Sequence, residues 1–252
     1  MAVALIVAAG SGERLGASRP KAFVTLAGKP MVQWSVDAFR SWDVIDDIVV
    51  ALPPGRKRAP KGTIGVPGGK SRSESVKRAL AAAPYRPPPE VRVTAGHVKT
   101  PHARLRRPDA DGLARPYSEY VFVHDAARPL ITIELLQILS VCKDDADAVT
   151  AGSRIADTVR RTDASGLVTE VIDRQGLWAV ETPQVFHRSI LRQALDARVG
   201  VLRDATDETS LVQRIGGTVA VVSSGTVMPT GNLKVTWPSD LRLAELILRD
   251  RA

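Results

Sequence analysis

The sequence predicts an α/β protein: a Rossmann-like, doubly wound, mostly parallel sheet from which one β-hairpin protrudes. Three observations carry this expectation. Short apolar runs alternate with stretches of helical period along most of the 252 residues. The first apolar run ends in a glycine-rich turn, as a buried parallel strand entering a tight connection would. One later segment abandons the rhythm and shows strand-like spacing on both sides of a turn signal.

The elements follow in order. Val3 to Ala8 is the first strand, leading into Gly10-Ser-Gly12. Pro30 to Trp42 carries apolar residues at 31, 32, 34, 36, 38 and 39, with proline just inside its start, and reads as an amphipathic helix. Asp47 to Leu52 is a second buried strand, stopped by Pro53-Pro-Gly55. Ser73 to Ala83 is a second helix, with Ser71 or Ser73 available to cap it. Tyr120 to His124 is a third strand, Ile133 to Cys142 a third helix, and Ala148 to Ala151 opens a fourth strand. Residues 153–185 read as the hairpin, turning at Asp163-Ala-Ser-Gly166. A helix at Ser189–Ala197, a strand at Thr218–Val222 and a final helix at Ser239–Arg251 complete the chain. Residues 1–252 are read as a single domain, without internal repeats.

Composition narrows the function classes. A 44% apolar, 25% charged chain is ordinary for a globular protein. The single cysteine, Cys142, excludes an internal disulfide and a cysteine-rich zinc site. No run approaches the ~18 apolar residues of a membrane span. The N-terminus lacks the basic start of a signal peptide, so a cytoplasmic location is expected. The net charge of +8 suits nucleic acid, a membrane surface or a phosphorylated small substrate. Half of it comes from residues 86–116, with seven Arg/Lys against three acids. That stretch belongs to a proline-rich segment, 86–118, with six prolines and little period, and reads as a flexible insertion. It has no aromatic residue before Tyr117, so it offers no stacking platform for single strands, and nucleic acid is not the expected partner.

The candidate chemistry sits in turns after strands. Ala8-Ala-Gly-Ser-Gly-Glu-Arg-Leu-Gly16, followed by Pro20-Lys21, lets backbone N–H groups approach phosphate, with Arg14 and Lys21 to neutralise it. Its G-x-G-x-x-x-G spacing is not the dinucleotide fingerprint. A turn that simply needs glycine is the competing reading, and the accompanying cations favour phosphate. Gly68-Gly-Lys-Ser71 resembles the end of a Walker A loop, but Ile64 stands where the first glycine is required. His124-Asp-Ala-Ala-Arg-Pro129 follows the third strand, where open parallel sheets bind ligands, and Asp125 there could hold a divalent cation or merely cap a helix. His97 and His102 lack acidic or thiol companions and read as solvated loop residues. There is no G-x-S-x-G and no nucleophilic Cys/His pair.

These motifs, joined in order by Ile172-Asp-Arg-Gln-Gly-Leu-Trp178, Thr182-Pro-Gln, Thr206-Asp-Glu and Asn232-Leu-Lys-Val-Thr236, resemble the 2-C-methyl-D-erythritol 4-phosphate cytidylyltransferase family. The resemblance spans nearly the whole chain except 86–118. It implies an Mg²⁺-assisted transfer of CMP from CTP to the polyol phosphate, with release of pyrophosphate and no covalent intermediate. By the same resemblance Arg14, Lys21, Arg174 and Lys234 are catalytic cations and Asp125 is the metal ligand. Ala8, Ala9, Gly10, Ser11, Gly12, Gly69, Arg72 and Ser75 surround CTP, while Arg128, Thr158 and Thr182 surround the polyol phosphate. The 153–185 arm would join two copies as a homodimer, carrying Arg174 to the partner's site. A cytidylyltransferase for another polyol phosphate, such as ribitol 5-phosphate, shares the loop and His-Asp-Ala-Ala-Arg motifs and is the alternative.

Overall fold

The computed structural model describes residues 2–10, 12–16, 19–85, 120–142 and 146–251. The basic insertion at 86–118 and Ser11 lie outside the described residues.

The chain opens with β1 (Ala2–Val7) and reaches a small ribbon of β2 (Thr25–Leu26) and β3 (Lys29–Pro30). Then come α1 (Met31–Arg40), β4 (Ile45–Leu52), β5 (Ile64–Pro67) and α2 (Arg72–Ala82). After the undescribed segment follow β6 (Tyr120–Asp125), α3 (Ile133–Val141), β7 (Ala148–Arg154), β8 (Val159–Thr162), β9 (Val168–Ile172) and β10 (Trp178–His187). The rest is α4 (Arg188–Leu195), α5 (Val199–Asp204), α6 (Glu208–Arg214), β11 (Val219–Ser223) and α7 (Pro238–Asp250). No helix among the described residues is long and apolar enough to cross a membrane.

Seven strands form one sheet in the order β11-β7-β10-β6-β1-β4-β5. All neighbours pair in parallel except β10, which runs antiparallel to both β6 and β7. Alternation along β1 splits the core into two layers. Ala4 and Ile6 face α1, α3 and α7, where Phe39, Leu135, Leu136, Leu139 and Ala244 are fully buried. Val3 and Leu5 face α2, α4 and α6, against Val76, Leu191 and Val212. Each such large apolar side chain contributes about 1.5–3 kcal/mol through burial. Phe39 and Phe122 meet edge-to-face at 6.0 Å across the first layer.

Most expected elements are present with ends moved by a few residues, as at α1, which stops at Arg40, leaving Trp42 buried beyond it. Ser71, not Ser73, caps α2: its hydroxyl accepts from the Glu74 N–H at 3.1 Å. The larger correction concerns the segment 153–185. Its tip is a two-stranded antiparallel ribbon, β8 with β9. The Asp163 carboxylate accepts from the N–H groups of Ser165 and Leu167 at 2.9 and 3.0 Å, and Gly166 takes φ +87°. The residues from Trp178 onward do not belong to that ribbon. They return into the main sheet as β10, whose residues 181–186 are all buried. Pro183, which has no N–H to donate, sits where the β10 register shifts between Val180 and Gln184.

Candidate active site

Strand order reverses at β1. The chain goes from β1 outward to β4 and β5, then returns to β6 on the other side of β1. The loops leaving the carboxyl ends of β1 and β6 therefore part, and a crevice opens between them. A cavity of about 390 Å³ occupies it. Of the residues singled out in the sequence, Ala8, Ala9, Gly10, Lys21, Gly69, Arg72, Ser75, Asp125 and Lys234 line this cavity, although 226 positions separate the first from the last.

One wall is backbone. Gly68 N–H donates to the Leu52 carbonyl at 2.8 Å, carrying the sheet spacing past the end of β5. A Cβ on Gly68 would stand 2.3 Å from that of Ala9, and one on Gly69 would stand 2.3 Å from the Glu74 Cβ and 3.0 Å from the Ser75 nitrogen. The Ser75 hydroxyl accepts from Gly69 N–H at 2.9 Å and donates to the Ser71 carbonyl at 2.9 Å. Ser75 thus shapes the Gly69 turn at the start of α2. Gly12, at φ +75°, lies against Lys21, where a Cβ would come within 2.4 Å of the lysine Cβ.

The opposite wall is charge. Asp125 ends β6, and Arg72 Nε donates to its Oδ1 at 3.0 Å while Lys234 Nζ donates to its Oδ2 at 2.9 Å. Burial alone would raise the Asp125 carboxyl, but Arg72 and Lys234 outweigh it and hold the group well below the usual carboxylate range. Lys21 is pushed the other way. Burial, then repulsion from Lys234 and Arg14, lowers its ammonium against the opposing pull of Asp125 and Asp240. The Arg14 guanidinium lies 5.8 Å from the centre of the Trp237 ring. Cations outnumber the one carboxylate lining the cavity, and this is a chemistry for holding a polyanion.

Behind the cavity lies a neutral hydrogen-bonded layer. Asp125 N–H donates to Thr182 Oγ1 at 3.0 Å, which directs the threonine proton to His124 Nδ1 at 3.1 Å. His124 Nε2–H then donates to the Arg128 carbonyl at 3.1 Å. Burial pushes His124 down to about 3, so the ring stays neutral. The Asn232 side chain donates to the Thr182 carbonyl at 2.7 Å.

Six expected residues do not line the cavity in one chain. Gly12 packs on Lys21, and Arg14 is exposed beside Trp237. Thr182 spends its hydroxyl inward, on Asp125 and His124. Arg128 is turned towards the Asn232 carbonyl, and burial lowers its guanidinium. Thr158 and Arg174 are exposed at the base of the β8–β9 ribbon and do not line the cavity. Three further residues belong to the surroundings of the site without being singled out by the sequence: Glu208, which is wholly buried and ion-paired to Arg72, Asn232 and Trp237. The signals are the acid inside Thr206-Asp-Glu and the first residue of the Asn232–Thr236 motif, while Trp237 stands one position beyond it.

Known proteins resemble most of the chain. Residues 2–88 and 111–250 match the model of one family. The chain belongs to the 2-C-methyl-D-erythritol 4-phosphate cytidylyltransferase family. The unmatched stretch falls inside the basic proline-rich segment. The family enzyme of Nocardia farcinica is 38% identical over 99% of this chain and 95% of its own. That of Symbiobacterium thermophilum is 34% identical over 98% and 93%. The crystal structure of the Thermus thermophilus enzyme superposes with a TM-score of 0.70 at 26% identity, covering 97% of this chain and 98% of that one. As a member of the family, the chain is a nucleotidyltransferase that transfers CMP from CTP to 2-C-methyl-D-erythritol 4-phosphate.

Proposed function

We propose that the cavity between the β1 and β6 loops receives the triphosphate of CTP, and that the phosphate of 2-C-methyl-D-erythritol 4-phosphate attacks its α-phosphorus directly, displacing pyrophosphate. The observation that carries this reading is the convergence of Lys21, Arg72 and Lys234 on one cavity that, among the described residues, contains a single carboxylate, Asp125. Charge builds on the phosphoryl oxygens in the transition state, and fixed cations stabilise it without reorganising. Arg14, beside Lys21, adds to that field. Direct transfer is supported by the serines of the cavity. Ser75 is held by backbone at both ends, and the Ser71 oxygen caps α2, so neither is set up as a nucleophile.

An Mg²⁺ ion fits this donor set with Asp125 as its one protein ligand. Mg²⁺ in phosphate sites commonly takes one or two carboxylates and fills the remaining positions with phosphate oxygens and water. Among the described residues no cluster of three or more His, Cys, Asp or Glu side chains could hold it without substrate. When bound, it supplies charge neutralisation at the phosphates. Lys234, which Asp125 now holds, then becomes available to phosphate oxygens. Ala8, Ala9, Gly10 and Gly12 form the turn against the nucleotide. Gly69 and the Ser75 that shapes its turn face the base and ribose.

The polyol phosphate site is completed by a second copy of the chain. Leu167, Val168 and Val171 on the β8–β9 ribbon are each more than half exposed. A lone two-stranded ribbon is marginal, and pairing with a symmetry mate covers it. Such a dimer brings Thr158 and Arg174 to the partner's cavity. Arg128 and Thr182 act there by holding Asp125 and the Asn232–Lys234 turn in place. The test is CTP with a panel of polyol phosphates and pyrophosphate as the readout. Turnover with 2-C-methyl-D-erythritol 4-phosphate well above that with ribitol 5-phosphate is expected, and the reverse preference would overturn the reading.

A further inference from the structure

We propose that Glu208 is a positioning residue for the nucleotide: it clamps the Arg72 guanidinium in one orientation, so that Arg72 meets bound CTP as a preset donor. The inference rests on the reading that CTP occupies the cavity.

Glu208 is the first residue of α6 and is wholly buried. Its Oε2 is ion-paired with Arg72 Nη1, and its Oε1 accepts from Ser73 Oγ at 3.0 Å. A carboxylate taken from water is costly unless it is paired and its oxygens are satisfied, and Glu208 meets both conditions through the first two residues of α2. Arg72 uses a different nitrogen, Nε, on Asp125 Oδ1 at 3.0 Å. Acceptors on two edges of a planar group fix its plane as well as its position, which a lysine ammonium would not allow. The third nitrogen, Nη2, is buried and has no hydrogen-bond partner among the described residues. Arg72 lines the cavity. A guanidinium held at Nε and Nη1, with Nη2 unpartnered, is a donor awaiting an acceptor such as a nucleotide oxygen.

Glu208 is itself held by its neighbour. Asp207 Oδ1 accepts from Ser210 N–H at 2.9 Å and caps α6, while its Oδ2 accepts from Gln184 Nε2 on β10 at 2.7 Å. The clamp is thereby tied to the strand that also carries Thr182, the partner of the Asp125 backbone. The side chain that orients Arg72 and the one that orients Asp125 share one rigid support. Glu208 does not itself line the cavity, so it acts through Arg72 and Ser73.

Steady-state kinetics of the full chain, with each substrate varied in turn, test this. Glu208→Gln should raise the KM for CTP roughly five- to tenfold, the scale of coupling between contacting residues. The KM for the polyol phosphate should stay within about twofold, a split that general loosening of the fold would not produce. Arg72→Ala should raise the CTP KM further, and adding Glu208→Gln to it should change little, because the residue it orients is gone. Should Glu208→Gln fail to fold, Glu208→Asp keeps the buried charge and withdraws it by one methylene, and a smaller rise confined to CTP is expected. The inference is overturned if the folded Glu208 variant leaves the CTP KM unchanged while Arg72→Ala raises it, or if the two losses multiply in the double variant. An Arg72→Ala protein with unaltered CTP KM would instead overturn the placement of CTP, and this inference with it.

Discussion

The cavity wall and the β8–β9 ribbon both carry cations, yet they are built on opposite terms. Arg72 and Lys234 are fixed on a buried carboxylate at the end of a central strand. Arg174 stands exposed beside a ribbon whose ion pair, Arg161 with Glu170, is 65% and 56% exposed. The first arrangement is complete within one chain and preorganised. The second, under the proposed function, needs a second copy of the chain. On that reading Arg72 and Lys234 of the cavity are preset by Asp125, whereas Arg174 would be delivered by assembly.

The contrast can be broken most forcefully at Lys21. Lys21→Ala should lower kcat by about 10²–10³-fold, the loss seen when one preorganised stabilising group is removed. The melting temperature should move little, since Lys21 makes no ion pair among the described residues at 4 Å or less. Near-normal kcat with normal melting would remove Lys21 from the transition state.

Mixing subunits sharpens the comparison next. Lys21→Ala and Arg174→Ala proteins should each be defective alone. If Arg174 acts across the dimer, random exchange leaves half the dimers mixed, and about a quarter of all sites are then wild type, by counting symmetric pairs. Recovery of activity on mixing supports the shared site, and none at all after verified exchange places Arg174 in its own chain's cavity.

Asp125→Asn keeps the shape of the carboxylate and removes its charge. The midpoint of the Mg²⁺ titration should rise by about tenfold or more, and an unchanged midpoint would remove Asp125 from the metal site. The smallest effect is expected on the ribbon. A double-mutant cycle on Arg161 and Glu170 should give below about 1 kcal/mol, fading with added salt. A larger, salt-insensitive coupling would mean that this face is desolvated in the dimer.

What was legible in the sequence follows the same divide. The turn after β1 and the end of β6 are local: glycines, Lys21 and Asp125 announce a phosphate site wherever the rest of the chain goes. The order of β6 and β1 in the sheet follows from the alternation of strands and helices. The place of β10 does not. A turn at Asp173-Arg-Gln-Gly176 separates β9 from β10, but a turn alone does not say that the chain beyond it leaves the ribbon to pair antiparallel between β6 and β7. That non-local pairing turns Thr182 inward beneath Asp125, so the direction of its side chain could not be read from its motif. Glu208 was hidden for a similar reason. Its partners, Arg72 and Ser73, lie 136 and 135 residues away, and an acid at the start of a helix needs no partner to be understood. The β5 strand is four residues ending in proline, too short for any period to show.

The two glycines at the base of α2 set a limit on how this enzyme can be redesigned. Any attempt to broaden its choice of nucleotide by randomising the turn would find positions 68 and 69 closed, because their missing side chains are already replaced by Ala9, Leu52 and the first turn of α2. Surviving library members would converge on glycine at both. Changes in base preference would have to come from Lys70, whose exposed side chain is the nearest free coordinate in the same loop.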